Sequence, residues 1–251
     1  VSFDAEQDAC CAYESGRLPG GAGWLSRPGG LELTQHAIEV AGLIRGDRVL
    51  DLGCGSGESV KFLRASGIDA MGVDKPHNLE VANAPSGLRV DAFAEQLPFA
   101  NASVDGVLAE CSLSVMCDAR KVLSECARVL RPGGHLIISD LYARNSMAIA
   151  AIRELKGSCV SGIIVRTDLE NWLNDAGFAT LCFEDHSRAL REAVAHFLFA
   201  HDSIDDLWMS ATRAPNSESI TAAMKQVRAG YFLLIATRVA ERKLENGDCN
   251  G

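Results

Sequence analysis

The chain has 251 residues, 47% hydrophobic and 23% charged, which suits one globular domain, or one domain plus a lid, with a large core. A formal charge of −9 argues against a nucleic-acid surface, which needs clustered Lys and Arg to displace counterions. No apolar run approaches the roughly 18 residues of a membrane span, and the Val-Ser-Phe-Asp-Ala-Glu start lacks the basic and apolar stretches of a signal peptide, so a cytoplasmic protein without membrane partners is expected.

Residues 1–30 are rich in glycine (Gly16, Gly20, Gly21, Gly23, Gly29, Gly30) and lack periodicity, which predicts a flexible cover ahead of a folded domain over 31–251. Leu33, Ala37, Val40, Ala41 and Ile44 then stripe a first helix. A short apolar run, Val49 to Leu52, is followed by three alternating glycines, Gly53, Gly55 and Gly57, and by a helical pattern from Glu58 to Ala65. Strand, tight glycine turn and helix form the opening unit of a nucleotide-binding α/β sheet. Glycine is needed there because a Cβ would collide with a ligand lying on the backbone. A second strand, Ala70 to Val73, ends in Asp74, where an ionised carboxylate can accept from both hydroxyls of a ribose.

Dinucleotide dehydrogenases space their glycines G-x-G-x-x-G and aim a helix at a pyrophosphate. Here the spacing is G-x-G-x-G, led by Asp51 in the strand, and this resembles the first motif of the class I S-adenosylmethionine-dependent methyltransferases. Further segments resemble that family in order: Leu88-Arg89-Val90-Asp91-Ala92 as its third strand, Ser103 to Ala109 as its fourth, and Arg128-Val129-Leu130-Arg131-Pro132-Gly133-Gly134 as the helix end and turn before a fifth strand, His135 to Asp140. Beyond these, the pattern predicts helices near 147–155 and 167–176, a sixth strand at Ala179–Phe183, helical residues from Ser187 to about Met209, another helix after a polar loop, and a last strand, Tyr231 to Arg238. The resemblance implies a Rossmann-like, doubly wound, seven-stranded sheet with the last strand antiparallel and helices on both faces. It also implies S-adenosylmethionine as cofactor, S-adenosylhomocysteine as product and a small-molecule acceptor. Carried onto this chain, the cofactor-binding positions are Asp51, Gly53, Cys54, Gly55 and Gly57 around the methionyl end, Asp74 and Lys75 at the ribose, Asp91, Ala92 and Phe93 at the adenine, and Glu110 after strand four. In that family Asp91 would accept from the adenine amino group and the backbone N–H of Ala92 would meet the ring.

Nine cysteines bear on the acceptor. None has C-x-x-C spacing, so no zinc ribbon is signalled and no metal is expected. Most read as small buried hydrophobes, Cys126 and Cys182 among them. Cys111 follows strand four on the edge where an open α/β sheet binds ligands, and Cys159 lies in a Gly-Ser-Cys-Val-Ser-Gly turn. The segments around Cys111, Asp140 and Cys159 are similar to arsenite methyltransferases, in which cysteines at the matching positions bind trivalent arsenic and a third cysteine, here Cys10 or Cys11, completes the site. The subfamily has Asn where this chain has Glu110. The expectation is transfer to a soft acceptor (a thiol, a metalloid or a selenium analogue) through Cys111 and Cys159. The alternatives are transfer to carbon, oxygen or nitrogen of an ordinary metabolite, or cofactor binding without turnover. A hydroxyl acceptor would need a general base. His186, in Phe183-Glu184-Asp185-His186-Ser187, and Glu110 are the candidates, with helix capping by Asp185 or Ser187 as the other reading of that cluster. His36 and His196 sit in helical stripes and read as packed or surface residues.

Overall fold

The protein is described by a computed structural model covering residues 27–76, 87–153, 162–201 and 217–240. In chain order the elements are α1 (Gly30–Ala41), β1 (Arg48–Leu52), α2 (Glu58–Ala65), β2 (Asp69–Asp74), β3 (Arg89–Asp91), β4 (Val104–Glu110), a short 3-10 helix (Leu113–Val115), α3 (Ala119–Val129) and β5 (Leu130–Ala143). A second 3-10 helix (Ser146–Ala148), α4 (Ile149–Arg153), β6 (Ile164–Val165), α5 (Arg166–Asp175), β7 (Phe178–Asp185), α6 (Ser187–His201), α7 (Ser217–Val227) and β8 (Gly230–Arg238) follow.

The strands form one sheet in the order β3-β2-β1-β4-β5-β8-β7, with the two-residue β6 beside β5. The pairs β1–β2, β2–β3, β1–β4 and β4–β5 are parallel. β8 is antiparallel to both β5 and β7, so β7 runs in the direction of β5 and its carboxyl end emerges on the same edge. This is the expected Rossmann-like architecture with the last strand reversed.

Alternation along the strands divides the core into two layers. Leu50, Leu52, Leu136, Ile138, Phe232 and Leu234 face α3 and α5, packing on Val122, Cys126, Leu169 and Leu173. Val49, Leu108, Ile137, Tyr231 and Leu233 face α1 and α2, packing on Leu33, Ala37, Ile38 and Leu63. Asp51 and Glu110 therefore lie on the α1/α2 side, two residues beyond Val49 and Leu108.

Several expectations change. The buried face of α1 is Leu33, Thr34, Ala37, Ile38 and Ala41, while Val40 and Ile44 are exposed. The helix stops at Gly42, which adopts φ 68°, so Ile44 falls outside it. Arg131 to Gly134 do not precede strand five but bulge within it: Val104 pairs with Leu130 and Gly106 with His135. Of the cover predicted for residues 1–30, the part up to 26 lies outside the described residues, as do Cys10 and Cys11. The same holds for residues 154–161 with Cys159, and for the helical residues expected beyond 201.

Candidate active site

The glycine loop leaves β1 and turns under tight backbone control. The N–H of Gly53 and that of Cys54 both donate to the carbonyl of Val73 on β2, at 2.8 and 3.2 Å, and the Gly57 N–H closes the turn on the Cys54 carbonyl. Gly53 and Gly57 have φ of 72° and 73°, a region that side-chain-bearing residues avoid. A Cβ on Gly53 would sit 2.6 Å from Cβ of Ser112, whereas at Gly57 the space is open. Cys54 packs its side chain against β2 at Gly72. Its sulfur fills the place above Gly72, where a Cβ would come within 2.5 Å of it, and burial pushes its thiol up to about 12. It is a packing residue.

Asp74 holds the loop in place with both carboxylate oxygens, accepting from Gly55 N–H at 2.7 Å and from Lys75 N–H at 2.8 Å. A carboxylate has about four lone-pair positions, so pinning the loop is compatible with accepting from a diol. Asp91 is ion-paired with Arg89 at 2.8 Å, and Arg89 also donates to the Lys75 carbonyl. The Ala92 N–H donates to the Asp74 carbonyl at 2.9 Å, which corrects its expected role as donor to the adenine ring. Phe93, half exposed, follows at the same edge.

These residues fit a bound S-adenosylmethionine. The open face at Gly57 leaves room along the backbone. Ser112, buried against Gly53, has an Oγ with no hydrogen-bond partner among the described residues, as expected of a group that a ligand would satisfy.

A charged network closes the site on the α1/α2 side. Glu110 accepts from Thr34 Oγ1 at 2.7 Å, from Ser59 Oγ at 2.6 Å and from Arg27 at 3.2 Å. Arg27 also bonds Ser59 and reaches Glu58 at 3.5 Å. Both oxygens of Glu110 are thus held within the protein, so the residue read as a candidate base and cofactor ligand joins α1, α2 and the Arg27 segment to β4. Asp51, buried beside this network, has its carboxyl pushed up to about 8. Burial is the main cause, Glu110 and Asp74 add to it, and Arg27 opposes it.

Cys111 follows β4 with a strained φ of 50°. Its sulfur lies 3.1 Å from the hydroxyl of Tyr231, which in turn donates to Ser139 Oγ at 3.1 Å. Either atom of the Cys111–Tyr231 contact can be the donor. Burial, with Asp140 adding, pushes the Cys111 thiol well above its ordinary range. Asp140 caps the turn after β4, accepting from Ser114 N–H and Oγ at 2.9 and 2.7 Å, and burial raises its carboxyl to about 6.

His186 stands at the carboxyl end of β7. Its N–H donates to the Tyr231 carbonyl at 2.8 Å, and its Nε2 lies 2.8 Å from Glu184 Oε2. His36 of α1 reaches the same oxygen, also at 2.8 Å. Asp185 takes the capping role, accepting from Ser187 N–H at 2.7 Å. Sequence reasoning missed Arg27, Thr34, Ser59, His36 and Tyr231 as neighbours of the site. No local spacing marks them, since each arrives through a contact between distant segments.

Residues 50–138 match a family model described as a methyltransferase domain. An O-methyltransferase of Aspergillus nomiae is 36% identical over 167 residues, covering 61% of this chain and 73% of that protein. The arsenite methyltransferase of Aquipseudomonas alcaligenes is 33% identical over 161 residues, covering 54% of this chain and 45% of that protein. Among solved structures, the cyclase SpnF superposes with a TM-score of 0.63 at 25% identity, covering 83% of this chain and 80% of that one. Among the described residues no helix is long and apolar enough to cross a membrane.

Proposed function

The chain belongs to the class I S-adenosylmethionine-dependent methyltransferases acting on small molecules, and from that membership we propose that it methylates a hydroxyl group. It is an enzyme, with S-adenosylmethionine as donor and S-adenosylhomocysteine as product. The donor supplies an electrophilic methyl carbon on a sulfonium sulfur. Around it, the loop from Gly53 to Gly57 receives the methionyl end beside Asp51, Asp74 accepts from the ribose hydroxyls next to Lys75, and Asp91 and Phe93 border the adenine.

One observation carries the choice of oxygen. The match to an O-methyltransferase runs over 73% of that relative, against 45% of the arsenite methyltransferase. The state of Cys111 supports the same choice. A soft metalloid needs thiolates, and burial pushes the Cys111 thiol well above its ordinary range. The soft-acceptor expectation therefore yields to the hydroxyl reading.

A hydroxyl gives up its proton as the methyl arrives, and holding acceptor and methyl in line supplies much of the rate. We assign the proton to His186. In the tautomer that donates Nε2–H to Glu184, its Nδ1 carries the lone pair. The test is incubation with methyl-labelled S-adenosylmethionine and a panel of hydroxylated, amine, thiol and arsenite acceptors, read by mass spectrometry. Labelled methyl ethers support the proposal. Methylated arsenic or thioether with no ether product rejects it.

A further inference from the structure

We propose that His36, Glu184 and His186 form a binding site for one divalent first-row transition ion of the zinc class. The ligand atoms of these three residues lie within 4.8 Å of one another. Nε2 of His36 and Nε2 of His186 each approach the same Glu184 oxygen at 2.8 Å, and the two ring centroids are 6.0 Å apart. The two rings and one carboxylate thus converge on a small volume from two elements, α1 and the end of β7. Two imidazoles with one carboxylate select zinc, cobalt or nickel over magnesium or calcium, which prefer all-oxygen shells. Three protein ligands leave a fourth position for water. That position is available, because the side chains of His36, Glu184 and His186 are 43%, 34% and 27% exposed.

The support around the ligands suits a metal site. His186 is fixed by its backbone bond to Tyr231, and its neighbour Asp185 is held by Tyr142 at 3.0 Å and by Ser187. An ion would replace the shared carboxylate contact with direct ligation and fasten α1 to β7. Metal on Nε2 of His186 moves the ring proton to Nδ1 and removes the lone pair assigned above. That consequence rests on the proposed hydroxyl chemistry, whereas the binding site does not.

The experiment uses the full chain stripped with chelator and titrated with cobalt(II) as a spectroscopic probe, then with zinc as competitor. Expected are one equivalent bound, visible d–d bands of a four- or five-coordinate ion, and no near-ultraviolet thiolate charge-transfer band. His36→Ala and Glu184→Gln should each weaken binding by at least the roughly 10–100-fold that even outer-shell partners contribute. His36 is the most exposed of the three, so its variant keeps the test clear of folding defects. The proposal is overturned if cobalt binds through sulfur, or if both variants bind as tightly as wild type. Neither outcome touches the methyl-transfer reading, which is measured without added metal.

Discussion

Burial changes the chemistry of Asp51. A free aspartate titrates near 4, but here the carboxyl is pushed up to about 8, first by burial and then by the Glu110 and Asp74 carboxylates. Between those values the folded chain keeps a proton that the unfolded chain has released. The stabilisation is therefore fully present below about 4 and is lost as pH rises through 8. Urea midpoints of wild type should fall between pH 5 and 8.5, and those of Asp51→Asn should fall less. Asp140, raised to about 6, acts with the same sign in both proteins, so the difference isolates Asp51. Parallel curves would refute the assignment. For Asp74, Asp74→Ala should weaken S-adenosylmethionine binding by about 1.5–3 kcal/mol, the range for a hydrogen bond to a charged group. Calorimetry on variant and wild type decides it, and unchanged affinity would remove Asp74 from the ribose.

The loop and β2 interlock as elements through Gly72 and Cys54. Gly72→Ala would place a Cβ 2.5 Å from the Cys54 sulfur and 2.9 Å from its Cβ. Overpacking of this kind costs about 1–3 kcal/mol. In that background Cys54→Ala removes the sulfur and should return part of the loss, so a double-mutant cycle of denaturant midpoints should show coupling. Strictly additive effects would mean the loop simply shifts aside. This unit was legible in the sequence because its signals are local: glycines bound the turn, and the helix predicted over Glu58–Ala65 is α2 to the residue. Less local features were not legible. Choosing Ile38 over Val40 for the buried face of α1 depends on how the helix lies against the sheet, which no stripe of apolar residues fixes. A two-residue strand such as β6 has no periodicity to read, and the β5 bulge reads as an ordinary proline-glycine turn.

At the scale of the whole molecule, the sheet brings together residues whose separation hides them in the sequence. His36 and Glu184 are 148 positions apart, and Arg27 and Glu110 are 83 apart. The parallel strand order could be anticipated from the glycine motif and the segments that follow it, but nothing along the chain pairs Arg27 with Glu110. Position after strand four made Glu110 a candidate base and cofactor ligand. The fold instead buries Glu110 under α1 and α2, where its side chain is 6% exposed and that of Arg27 is 11% exposed. Arg27 pairs with Glu110 and also acts on the charge of Asp51. Removing one partner of a buried pair typically costs about 3–5 kcal/mol because the other charge is left uncompensated. Thr34 and Ser59 still donate to Glu110, which puts Arg27→Met toward the lower end, about 3 kcal/mol. Combining it with Glu110→Gln should restore much of that loss, since a neutral amide needs no countercharge. Urea denaturation of both single variants and the double supplies the coupling energy. A loss below about 1 kcal/mol for Arg27→Met, the scale of a surface pair, would show that solvent screens the pair with Glu110.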